Sequence, residues 1–165
     1  MRRAFAAAAL AAALAGCGYR FAVGGTGLPA RTGRIHVPVF ENRSGEPEAG
    51  AIFAKALGDS LAARGRLGGL DAPSRLEGVV VSVGTSPYLP HATRPTELGP
   101  SLYAIEALVR LTLTVDGAVT CARDVYLKDT YVPAADLLGL ETNRGEALRR
   151  LAAAMMTDVE TRLCE

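Results

Sequence analysis

The sequence predicts an α+β two-layer sandwich: a four-stranded, mostly antiparallel sheet with two helices on one face, in the order β-α-β-β-β-α. Three observations predict it. Two stretches, Glu48 to Arg64 and Asn143 to the C-terminus, each carry a single apolar stripe at helical spacing. Four others alternate apolar and polar residues at the period of a half-buried strand. The two longest of these are joined by Asp116-Gly117, a hairpin signal. Two helices with one stripe each bury both stripes by lying side by side on the same sheet face.

In chain order, Arg34 to Phe40 reads as a first strand with Ile35, Val37 and Val39 on one face. Pro38 cannot donate to a ladder, so this strand belongs at an edge or begins to leave the sheet there. Glu41 to Gly45 is a turn, and Pro47 suits a first helical residue. Ala49, Ile52, Phe53, Ala56, Leu57 and Leu61 then form the apolar side of a helix that Gly65 ends. Leu76 to Thr85 is a second strand. The stretch from Ser86 to Ser101 holds Pro87, Pro90, Pro95 and Pro100 and reads as a long loop, a candidate binding element.

Leu102 to Val115 is the longest strand, with Glu106, Leu108, Arg110, Thr112 and Thr114 on the face away from the core. Thr120 to Val132 returns beside it. A two-residue turn sends Ala122 and Tyr126 inward, whereas a bulged three-residue turn sends in Cys121, Val125 and Leu127, which suits their apolarity better. Asn143-Arg144-Gly145-Glu146 resembles a capping box and opens the last helix, with Leu148, Leu151, Ala152, Met155, Val159 and Leu163 on its apolar face. The second face of the sheet has no helix left to cover it. It is solvated or reserved for a partner.

Ahead of this domain, residues 1–16 have the layout of an export signal. Arg2 and Arg3 precede an apolar run from Ala4 to Leu14, too short for the roughly 20 residues a membrane-spanning helix needs. Leu14-Ala15-Gly16-Cys17 resembles the lipobox of bacterial lipoproteins, which implies a diacylglycerol on Cys17 and cleavage before it. Two or three acyl chains, at about 0.8 kcal/mol per buried methylene, hold a protein at a membrane. Gly18 in place of Asp is compatible with sorting to the outer membrane. Residues 17–32, with Gly24-Gly25-Thr26-Gly27, read as a tether and residues 33–165 as the domain.

Cleavage removes two arginines, taking the net charge from +1 to about −1, so no basic excess points to nucleic acid. Trp is absent, so the core is aliphatic. His36 and His91 lack metal-ligand spacing, and no nucleophile motif is present, so neither a metal, a cofactor nor catalysis is expected. With Cys17 lipidated, Cys121 and Cys164 remain as a pair in an oxidising compartment. The lengths of the last helix and fourth strand, about 31 and 33 Å, bring them to similar levels, so a bridge and two unpaired thiols both stay open.

The lipobox with Gly18-Tyr19, the segment Val37-Pro38-Val39-Phe40-Glu41-Asn42-Arg43-Ser44, the Tyr103 to Val115 strand and the Thr142-Asn143-Arg144 helix entry together resemble the lipopolysaccharide-assembly lipoprotein family, LptE. The resemblance covers nearly the whole mature chain. It implies a non-enzymatic, lipid-anchored protein on the periplasmic side of the outer membrane that plugs the lumen of the LptD β-barrel, helps it assemble and binds lipopolysaccharide. Lipid A carries phosphates, which makes Arg94 and Lys128 candidate contacts, with Arg110 and Arg123 behind them. The strand-FEN-helix opening also resembles lipoproteins that activate peptidoglycan synthases and lipoproteins of curli secretion. The three successive long strands and single final helix favour the assembly family over those. A carrier holding lipid in its own cavity is a third possibility, and the aromatic-poor sequence shows no sign of such a cavity.

Overall fold

A computed structural model describes residues 28–88 and 102–164 of the chain. After a 3-10 turn at Ala30–Thr32 come strands β1 (Ile35–His36) and β2 (Glu41–Asn42), helix α1 (Ala49–Ala63), strands β3 (Ser74–Tyr88), β4 (Leu102–Val115) and β5 (Ala118–Tyr131), and helix α2 (Leu137–Arg162). The sheet order is β1-β3-β4-β5, with β2 in line with β1 along the same edge of β3. β1 and β2 run parallel to β3, while β3, β4 and β5 are mutually antiparallel. The α+β sandwich is therefore observed, with the predicted first strand cut back to Ile35–His36 and a second short strand at Glu41–Asn42, where a turn was expected.

Pro38 causes the split. From Ile35↔Ser74 to Glu41↔Val79, one more residue is used on the β1–β2 side than on β3, so the chain bulges where proline has no N–H to offer. The alternation predicted from Ile35 through Val39 fails at that point. Val39 is 73% exposed, and Phe40 turns inward in its place at 3%. The Phe40 ring lies against the bare backbone of Gly78, where an added Cβ would overlap it. A Cβ on Gly50, in the first turn of α1, would overlap the Phe40 carbonyl oxygen. Both glycines are gaps that Phe40 fills from opposite sides, and burying its ring stabilises by about 2–3 kcal/mol.

The next residues fasten the turn into α1. Asn42 Nδ2 donates to the Glu46 carbonyl at 2.6 Å, and its Oδ1 accepts from the Ser44 N–H at 3.0 Å and from Ser44 Oγ at 2.7 Å. The Glu46 carboxylate pairs with Arg144 on α2. One ion pair thus ties the turn that follows the Val37 to Ser44 segment to Arg144 of the Thr142-Asn143-Arg144 stretch.

Phe53, Leu57 and Leu61 from α1 pack with Leu148, Leu151, Met155 and Val159 from α2 over Leu76, Val80, Ile105, Val109, Leu111 and Leu113 of the sheet. Leu28 is buried, and the Thr32 carbonyl accepts from Ser74 Oγ at 2.6 Å.

Several boundaries differ from expectation: β3 spans Ser74–Tyr88 and so takes in the start of the predicted Ser86 to Ser101 loop, and β5 begins at Ala118 rather than Thr120. The last helix begins at Leu137, not Asn143: its cap is Asp136, whose carboxylate accepts from the Gly139 N–H at 2.7 Å. Leu137 and Leu138 are 75% and 79% exposed, so this first stretch has no core-facing stripe to reveal it. Asn143 instead donates to the Val132 carbonyl at 2.8 Å. The β4–β5 turn is the two-residue kind, with Asp116 and Gly117 at φ 50° and 79° and Val115 paired with Ala118. The irregularity lies one pair later, where Leu113 meets Cys121, and it carries Val125 and Leu127 inward while Tyr126 stays outside.

Cys121 of β5 and Cys164, just past α2, are joined as a disulfide with Cα atoms 5.4 Å apart. Without reductant, both thiols are expected to resist alkylation, and removing the bridge to cost about 3–4 kcal/mol. Free labelling of both would contradict the pairing. Gly78→Ala is expected to displace Phe40 and lower stability by about 1–3 kcal/mol in urea titration. An unchanged midpoint would show that the ring has room to move.

Candidate functional site

The sheet face opposite the helices carries the most organised surface chemistry among the described residues. Successive strands place Arg75, Glu77 and Val79 of β3 beside Thr114, Thr112 and Arg110 of β4, and Ala122, Asp124, Tyr126 and Lys128 of β5 beyond them. Glu41 of β2 extends one of these rows through its pairing with Val79. Opposite charges meet on this face. Arg110 holds Asp124 by a two-pronged contact, Nε to Oδ1 at 2.7 Å and Nη2 to Oδ2 at 2.8 Å. Lys128 reaches Glu106 at 2.7 Å, Arg43 reaches Glu41 at 2.7 Å, and Arg75 reaches Glu77 at 2.7 Å. Acid matches base in these pairs, so together they carry no net charge.

Aromatic groups join one end of this array. The Tyr126 phenol and the Glu106 carboxylate influence one another's ionisation, and Lys128 Nζ stands 5.7 Å from the Tyr88 ring centroid. Electrostatics follow from these contacts. Lys128 and the Tyr126 hydroxyl hold the Glu106 carboxyl below the usual range, and Arg110 does the same to Asp124. Glu106 in turn raises the Lys128 ammonium and the Tyr126 phenol. The groups are solvated, and exposed pairs of this kind contribute little to stability. Such pairs exchange readily for a partner's groups.

Two of the predicted contact residues, Arg110 and Lys128, therefore share this face, each already matched to a carboxylate. Arg123 does not join them. Its side chain lies on the helix side and donates to the Arg162 carbonyl, where a cation complements the end of α2. Arg94 and Cys17 fall outside the described residues. Sequence reasoning gave Tyr126 no part in the array, because a lone tyrosine on a strand carries no charge or motif that points to a contact.

A second concavity lies between the helices on their outer side, a groove of about 740 Å³ floored by Ile52, Ala56, Ala152 and Met156 and rimmed by Lys55 and Arg149. Among the described residues no cluster of His, Cys, Asp and Glu is placed to hold a metal, and no helix is long and apolar enough to cross a membrane.

The family model for lipopolysaccharide assembly, LptE, matches residues 32–163. The chain belongs to the LptE family. No curated protein matches it. Among solved structures it is similar to the hypothetical protein CT253 of Chlamydia trachomatis, at 13% identity over 81% of this chain and 98% of that one, TM-score 0.51. It is also similar to a Helicobacter pylori protein described as a neuraminyllactose-binding hemagglutinin homologue, at 10% identity over 83% and 86%, TM-score 0.52. A Caulobacter crescentus protein described as a lipoprotein matches at 18% identity over 73% and 87%, TM-score 0.48. At these identities the likeness concerns the fold. LptE membership makes this a lipopolysaccharide-assembly-type lipoprotein, from a family without enzymes.

The lowered Glu106 carboxyl gives a direct check. Its attraction to Lys128 is fully present above the ordinary carboxylate pKa of about 4.3 and is lost as pH falls through the lowered folded value. Lys128→Met is expected to move the Glu106 midpoint upward in a carboxyl NMR titration. A midpoint unmoved by the substitution would show that the contact does not form in solution.

Proposed function

We propose that this LptE-family chain is an outer-membrane lipoprotein, acylated on Cys17, whose domain plugs the lumen of an LptD-type β-barrel. There it helps the barrel assemble and insert lipopolysaccharide at the cell surface. The observation that carries this reading is the sheet face that, among the described residues, no helix covers. Barrel interiors are polar, and a plug needs broad contact without a large apolar patch. Matched, exposed ion pairs such as Arg110–Asp124 and Lys128–Glu106 meet both signs of wall residue at little cost.

The same face supports a role for Lys128 and Arg110 toward lipid A phosphates, by exchange of a carboxylate for a phosphate on each cation. Arg94, in the segment that follows Tyr88, is proposed to act with Lys128 at that end of the sheet. The domain performs no covalent chemistry in this account. Its work is to occupy, to order and to bind.

Detergent extraction of outer membranes is expected to recover the chain in a one-to-one complex with a large barrel protein. Depletion is expected to lower both correctly assembled barrel and surface lipopolysaccharide. Normal levels of both, together with a defect in peptidoglycan synthesis, would instead assign the chain to the synthase-activating lipoproteins.

A further inference from the structure

One edge of the sheet is guarded along only part of its length. β1 pairs with Ser74 and Arg75, β2 with Val79 and Val80, and the Arg43 N–H donates to the Val80 carbonyl at 2.9 Å. The chain then turns away toward α1. From Ser82 to Tyr88, β3 pairs with β4 on its inner side, and among the described residues no strand lies along its outer side. A register shift after Val80 separates the guarded and unguarded halves. Beyond it Ser82 and every residue from Gly84 to Tyr88 are exposed, and an added Cβ at Gly84 would meet nothing.

Natural sheets blunt such edges with charge, proline or a cover, because alternate backbone N–H and C=O groups otherwise template another strand. β5, the opposite edge, follows that rule with Arg123, Asp124, Lys128 and Asp129. The β3 edge is blunted only at its ends, by the irregularity after Val80 and by Pro87. No charged side chain occurs from Gly78 to Tyr88, and Pro87 stands only at its end.

We propose that the outer edge of β3 from Ser82 to Tyr88 receives an added strand, an extended uncharged segment of the barrel partner. This rests on the plug reading above and names the element that joins the two proteins. The backbone groups select an extended polypeptide, and the uncharged flanks select an uncharged one. Seven residues at about 3.3 Å each offer roughly 23 Å, the length of an ordinary strand. A closed barrel wall has no free edge to give, so the segment comes from a loop or a terminal extension of the barrel chain. It continues the line that β1 and β2 already follow along β3.

The full-length lipoprotein, free and co-purified with its LptD-type barrel, is compared by hydrogen exchange over the peptide spanning Ser82 to Tyr88. Alternate amides are expected to slow by about tenfold or more in the complex. Thr85→Lys with Ser86→Lys, both at exposed positions, is expected to leave the melting curve of the free chain unchanged and to abolish that protection. Complex formation with exchange over this edge as fast as in the free chain would overturn the added strand while leaving the plug reading intact. Protection that appears in the free chain with rising concentration would assign the edge to a second copy and overturn it equally. Failure of the unaltered chain to bind the barrel at all would strike the plug reading itself.

Discussion

The contact between the Phe40 ring and the bare backbone of Gly78 is what the rest of this structure depends on. It fixes where the interrupted edge strand rejoins the sheet after Pro38. It also fixes where α1 begins, because Gly50 lets the helix press its first turn against the Phe40 carbonyl. Asn42 holds the intervening turn, and Glu46 carries the linkage to Arg144 on α2. One aromatic residue and two missing side chains thus align an edge strand with both helices. The disulfide fastens the far end of α2 to β5.

With both helices committed to one side of the sheet, the other side is left to the alternate residues of β3, β4 and β5. Their chemistry is a consequence of register. Arg110 meets Asp124 and Glu106 meets Lys128 because an irregularity after Leu113 shifts the ladder by one residue. Without that shift the charges would not face one another, and Tyr126 would point into the core. The face is polar, charge-balanced and weakly self-paired, which distinguishes it from the buried face of an obligate dimer. Such a surface suits a partner that is itself a mosaic of acid, base and hydroxyl, and in this account that partner is the inside of a barrel.

Much of this was legible in the sequence. The helical stripes located α1 and most of α2, and strict alternation from Leu102 to Val115 gave β4 its observed ends. Two features were not. Nothing local says that Phe40 rather than Val39 turns inward, because that choice depends on Gly78, thirty-eight residues away. The first turns of α2 were hidden because Leu137 and Leu138 are exposed and break the amphipathic pattern that marks a helix. Of the predicted contact residues, the strand pattern placed Arg110 on the outward face, and the structure sets Lys128 there too, opposite Glu106. Arg123 lies on the helix side, beside the end of α2.

The central claim is that the uncovered sheet face is the surface turned toward the barrel wall. Hydroxyl-radical footprinting of Tyr126, which is 60% exposed in the free domain, tests it most directly. Labelling of Tyr126 in the purified lipoprotein is compared with labelling in the lipoprotein–barrel complex. Strong loss of Tyr126 modification in the complex is the predicted result. Equal modification in both, with the complex intact, would place this face in solvent and contradict the account.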